Sequence, residues 1–218
     1  MTRAAGDLSR RAFVGRAALL AAAALAPLPR AAERAGLVAA AAAAAPDAVV
    51  LATLDGVAAY VVPGNDRHST AQGISTARPG GVAARGGEGL RATLEAAGPG
   101  TVDAAVAVLN GLARAVDPGA DARAGALGLD APFAALSFAA KEEVFARLSR
   151  SPEDVLRRLG AILPAIAAFV SYSEFGVLGQ DAAEPVGWAL TGYEGIADGR
   201  DELRGYYRGR RRARERRA

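Results

Sequence analysis

An apolar stripe with a clearly marked beginning, over residues 151–170, constrains the fold of this chain more than any other feature. Ser151 can cap a helix, Pro152 suits its first position, and Glu153 and Asp154 place acids in the first turn, where the helix dipole favours them. Val155, Leu156, Leu159, Ile162, Leu163, Ile166, Phe169 and Val170 then recur at the spacing of one helical face. Pro164 interrupts the stripe and is expected to kink or split the helix, because it lacks an N–H and crowds the preceding turn.

The same spacing recurs upstream. Residues 47–62 carry Val50, Leu51, Leu54, Val57, Ala58 and Val61 on one face and stop at Pro63-Gly64. A short helix over 89–97 is broken by Gly98-Pro99-Gly100, a longer one over 101–116 has Thr101 as its expected cap, and Ser137 can cap a helix over 138–148. No segment shows the period-two alternation of a half-buried strand. The expected fold is all-α, a single compact helical domain with long Gly-rich loops, preceded by a signal peptide. Two segments lack helical periodicity. Residues 65–89 are expected to form a long loop that is functional or mobile, with Gly80, Gly81, Gly86 and Gly87 supplying flexibility. Residues 176–205 hold the single Trp and are expected to form an extended strap anchored by Trp188 and Tyr193.

The N-terminus carries Ser9-Arg10-Arg11-Ala12-Phe13, followed by an apolar, alanine-rich run over 17–28. Paired arginines before a weakly hydrophobic run are the address of twin-arginine export, with Ser9, Arg10, Arg11 and Phe13 as the signal residues. The run falls short of the roughly 20 apolar residues that span a bilayer, so it is expected to be removed or buried and not to act as an anchor. Ala24-Leu25-Ala26 has the form of a cleavage site, although Pro27 follows it, and the alanines over 39–45 offer alternatives. The chain therefore divides into a signal peptide and Ala-rich linker (1–45), a helical domain (46–203) and an Arg-rich tail (204–218). The expected location is periplasmic, cell-envelope or secreted.

Charge is segregated along the chain. The whole carries 26 basic and 23 acidic residues. Residues 46–203 hold twelve basic against twenty acidic side chains, whereas residues 204–218 hold eight Arg against one Glu. The basicity thus sits at the ends, and a nucleic-acid face on the folded body is not expected. The tail suits an anionic membrane surface or an acidic partner, or else stays solvated. With no cysteine, the chain excludes disulfides, thiolate metal sites, covalent haem attachment and a cysteine nucleophile.

The candidate chemistry is sparse. His68, the only histidine, lies in the polar loop Asn65-Asp66-Arg67-His68-Ser69. One reading makes it a general base oriented by Asp66 and acting on Ser69 or Ser75, as in a stand-alone secreted hydrolase. The plainer and preferred reading leaves Asn65, Asp66 and Ser69 as turn-formers with His68 exposed, because Gly73-Ile74-Ser75-Thr76-Ala77 only partly matches a nucleophile elbow. Asp198, Asp201 and Glu202 do not complete a calcium loop, and a helix start is the simpler reading. No dinucleotide or P-loop pattern is present. No catalytic, cofactor-binding or metal-ligating residue is expected in this chain.

Several segments in order resemble the gluconate 2-dehydrogenase subunit 3 family: Tyr60-Val61-Val62-Pro63-Gly64 with Asp66 beyond it, Gly80-Gly81-Val82-Ala83-Ala84, Phe133-Ala134-Ala135-Leu136-Ser137 with Lys141-Glu142-Glu143, the 169–172 stretch, and Gly187-Trp188-Ala189-Leu190-Thr191-Gly192-Tyr193. The likeness spans most of residues 47–195. It implies a helical, non-catalytic small subunit that carries the export signal for the twin-arginine translocase. The FAD belongs to the implied partner, a flavoprotein dehydrogenase large subunit of the glucose-methanol-choline oxidoreductase type. Trp188, Tyr193 and Glu194 are the expected partner interface. The continuation past Tyr193 and the arginine tail depart from the family pattern.

Overall fold

The computed structural model describes residues 23–34, 36, 45–172 and 186–191. Helix makes up 69% of them and no strand occurs among them, as the apolar periodicity requires. The helices are α1 (Leu28–Arg34), α2 (Asp47–Val61), α3 (Arg67–Ala71), α4 (Gly86–Ala96), α5 (Thr101–Val116), α6 (Ala120–Leu127), α7 (Phe138–Ser149), α8 (Asp154–Tyr172) and α9 (Val186–Thr191).

Helix α2 is the axis of the fold. Val50, Thr53, Leu54, Gly56, Val57 and Ala58 are all buried on it, and a helix buried almost all round sits inside a domain rather than on its surface. Helices α3, α4, α5 and α8 pack against it, and α7 bridges α5 and α8. Leu90, Leu94, Leu109, Phe133, Leu136 and Leu163 fill the core between them. Tyr60 stacks on Phe145 at 5.1 Å between centroids and meets Phe138 at 5.0 Å, tying the end of α2 to α7.

Helix α8 is continuous through Pro164, so the proline does not split it. By length and composition α8 could cross a membrane, with a mean hydropathy of 1.4; here it packs against α1, α2, α4, α7 and α9. Ser151 Oγ accepts from the Glu153 N–H, and the helix itself begins at Asp154. Ser137 caps α7 by accepting from the Ala140 N–H. Thr101 does not cap α5: Gly100 takes that place at φ 75°, and the Thr101 hydroxyl is buried without a partner.

Four expectations are corrected. Residues 65–89 are not one long loop. Asp66 starts α3, α4 begins at Gly86, and Gly80, Gly81, Gly86 and Gly87 are close-packed rather than flexible. A Cβ on Gly64 would stand 2.7 Å from Gly80 Cα, and one on Gly81 would stand 2.6 Å from the Ala58 carbonyl oxygen. Within the expected strap, residues 186–191 are helical and not extended, and α9 packs on α8; the remainder of 176–205 lies outside the described residues. A helix not anticipated from the sequence, α6, occupies residues 120–127. The folded body also begins before residue 46: Leu25, Leu28 and Ala32 are fully buried, and α1 packs on α5 and α8. The physical reason is that an apolar run with this spacing makes a core stripe as readily as a signal.

Candidate functional site

Asp66 anchors the polar cluster around α3. Its Oδ1 accepts from the backbone N–H groups of His68 and Ser69, both at 2.9 Å, which satisfies two of the free donors of the helix start. Its Oδ2 accepts from the Ser69 hydroxyl at 2.8 Å, and Ser69 Oγ accepts in turn from the Gly64 N–H at 2.9 Å. Both carboxylate oxygens and the serine hydroxyl are thereby committed to closing the turn that follows α2. Asn65 stands exposed at its tip.

His68 is buried, only 2% exposed, which corrects the expectation of an exposed ring. Its Nδ1 has no hydrogen-bond partner, so Asp66 does not orient the ring, and the Asp–His–Ser relay considered from the sequence does not form. Burial, followed by the charges of Arg67 and Lys141, lowers its pKa to about 4 against the opposing pull of Asp66. The ring is therefore neutral near pH 7.

The centre of the cluster is a residue that sequence reasoning passed over. Lys141, the only lysine, is completely buried on α7. Its Nζ donates to the Gly56 carbonyl at 3.1 Å and to Gln72 Oε1 at 3.0 Å, and lies 5.6 Å from the centroid of the Phe133 ring. Gln72 completes the tie by donating from Nε2 to the Ala59 carbonyl at 2.8 Å, while its own carbonyl accepts from the Phe138 N–H. One amide side chain thus links α2, α3 and α7. No carboxylate pairs with Lys141, and burial lowers its pKa to about 7, with Asp66 the main opposing charge. A neutral amine has two N–H donors, and two acceptors are in place.

A second buried tie lies further along α2. Asn110 donates from Nδ2 to Thr53 Oγ1 at 3.0 Å, and its Oδ1 accepts from the Phe133 N–H at 3.1 Å, joining α5, α2 and the 131–136 turn. On the other flank, Asp55 is half-buried against the start of α4. Burial, then the charges of Asp66 and Glu88, raise its pKa to about 6, while a hydrogen bond from the Gly87 N–H acts the other way. The signals available in the sequence were the isolation of one lysine on an otherwise arginine-only chain and one asparagine inside an apolar face.

No three His, Cys, Asp or Glu side chains among the described residues are placed to hold a metal ion. Two surface clefts are lined largely by the 26–34 segment, and neither includes Asp55, Asp66, His68, Gln72 or Lys141. Chemically, the cluster ties backbone segments together. Neither of the two clefts reaches its reactive atoms.

Of the expected interface, Trp188 lies half-buried on α9. Tyr193 and Glu194 lie outside the described residues, as do Ser9, Arg10, Arg11, Phe13, the 198–202 acids and the tail. Comparison with family models, with characterised proteins and with solved structures finds no match.

Proposed function

We propose that this chain is a non-catalytic accessory subunit, a divergent small subunit of the gluconate 2-dehydrogenase type. In this reading it binds a flavin-dependent dehydrogenase of the glucose-methanol-choline type and helps to export or assemble it. The observation that carries the reading is a patch at the C-terminal end of α8: Phe169 and Tyr172 are 40% and 51% exposed on the helix that also receives α9 and Trp188. Exposed aromatic side chains with an apolar body and, in Tyr172, a polar tip are suited to a protein partner. The commitment of Asp66, Ser69, Gln72 and Lys141 to internal bonds supports a binding role over the hydrolase reading.

In this reading the arginine pair Arg10 and Arg11 addresses both chains to the twin-arginine translocase, and the FAD resides in the partner. Co-purification from cells tests it. Wild-type protein is expected to bring down a flavoprotein with a yellow, FAD-type absorbance, and a Phe169→Ser, Tyr172→Ser double variant is expected to lose it while keeping its helical circular dichroism. Recovery of free protein alone, with dehydrogenase export unchanged when this chain is deleted, would overturn the proposal.

The charge segregation favours a second reading, an envelope-associated module held by the 204–218 tail on anionic lipid. Its mark is salt-sensitive sedimentation with vesicles containing anionic lipid. Sedimentation with neutral vesicles alone would argue against it.

A further inference from the structure

The apolar run over 17–28 does not end where the fold begins. Its last members, Leu25 and Leu28, are completely buried in the same core as Leu109 and Leu163. Ala31 and Ala32 continue the stripe at 3% and 0% exposure, and α1 packs against both α5 and α8. On its outer face Arg30 and Arg34 line an open cleft of about 320 Å³ together with Glu153, Asp154 and Arg158 at the start of α8, where Asp154 pairs with Arg157 and Arg158. Beyond the segment, the Ala45 N–H donates to Asp103 Oδ1 at 3.0 Å, so the chain is fixed to α5 again where the domain resumes.

An export receptor or a processing peptidase reads such a run by binding it directly. The core binds the same side chains. The two contacts exclude each other, because Leu25 and Leu28 cannot face a receptor while they are buried under α5 and α8.

We propose that α1 is an intramolecular latch. Docked, it withholds the end of the apolar run and the peptide bonds between Leu25 and Arg34 from processing, so that this segment stays with the exported domain. Cleavage after Ala26 would remove Leu25 from the core, and it is further opposed by Pro27 at the next position. Cleavage among the alanines over 39–45 would strip α1 from α5 and α8 altogether. Leu25 is the first residue that the docked arrangement requires the exported chain to keep. The proposal rests on the export reading for its biological meaning, and on the packing of α1 for its physics.

The test uses the full chain. Limited trypsin digestion with mass mapping compares the bonds after Arg30 and Arg34 in the wild type and in Leu28→Asp, which places a charge in the α1 contact. At least tenfold slower cleavage in the wild type, with the helical signal of both proteins retained, is expected; equal rates would overturn the latch. Hydrogen exchange on the wild type needs no variant. Protection of the 31–34 amides by a hundredfold or more over an open chain supports docking, and open-chain rates refute it. N-terminal sequencing of exported protein should find a start at or before Leu25, and a folded product starting at any later residue would refute the proposal. If replacing Arg10 and Arg11 with lysine leaves export unchanged, the export reading fails, while the protease and exchange results still decide the latch.

Discussion

Replacing Lys141 with methionine should change the stability of this protein in a direction set by pH. Methionine keeps most of the unbranched stem and deletes the amine, so the core volume is nearly preserved. The deletion leaves the Gly56 carbonyl and Gln72 Oε1 short of a donor, at about 1–3 kcal/mol for each buried acceptor. Against that stands the burial of the amine as a cation. Its pKa falls from 10.5 in an open chain to about 7 in the fold, and each pKa unit corresponds to ~1.4 kcal/mol.

Between those two values the unfolded chain holds a proton that the folded chain has released, so wild-type stability rises with pH across this window by at most ~1.4 kcal/mol per unit. Below pH 7 both states are protonated and the penalty is present in full. At pH 10, where only a little of the amine's burial penalty remains, the methionine variant should therefore be less stable by about 1–5 kcal/mol. At pH 6 it should equal or exceed the wild type, a total swing of roughly 3–5 kcal/mol. Urea unfolding followed by circular dichroism at pH 6, 7, 8, 9 and 10 measures the difference directly, and groups common to both proteins cancel. A difference that stays constant to within about 1 kcal/mol across that range would refute the reasoning.

Further measurements probe other parts of the structure. Asp55, raised to about 6, loses its contribution to stability as pH rises from 4 to 6, while His68, lowered to about 4, gains its contribution as pH rises from 4 to 6.5. The wild type should be nearly flat over that window, and Asp55→Asn should uncover a rise of up to ~1.4 kcal/mol per pH unit in urea titrations; a flat variant contradicts the assignment. Gly80→Ala brings a Cβ to 2.7 Å from Gly64 Cα and should cost more than about 3 kcal/mol in a thermal melt, whereas Gly73→Ala has open space and meets only its φ of +81°, costing about 1 kcal/mol. Asn110→Ala leaves the buried Phe133 N–H unpaired and should cost about 2–3 kcal/mol by chemical denaturation.

Helices α2, α5, α7 and α8 were legible because each carries enough large apolar residues at helical spacing to outweigh its neighbours. Helix α6, with alanines and a single Leu, carries no such contrast. Gly80 and Gly81 were misread because glycine marks both loose chain and close backbone approach, and only the partner across the gap tells them apart. The Lys141–Gln72 tie was illegible for a similar reason: its members stand 69 residues apart, and nothing in the sequence pairs them. Asp66 was legible as a turn-former, and it does close the helix start, but the burial of His68 was not, because a polar loop sequence gives no sign of what packs over it. The α1 stripe was visible in the residues, but the same alanines and leucines satisfy an export signal, and sequence has no means of ranking the two uses.

The Gly64–Gly80 contact has a practical consequence. It closes the ends of a fifteen-residue excursion against each other, with the Thr76 N–H bonded to the Gly64 carbonyl and residues 73–78 all exposed at the far side. A chain pinned at its base in this way can carry cargo at its tip without transmitting strain to the core. Because the protein has no native cysteine, a single one at Ser75 would take one fluorophore at one place, and a short epitope inserted beside it would leave both termini untouched. Partner capture, vesicle binding and the state of the N-terminus could then all be followed on a single labelled molecule.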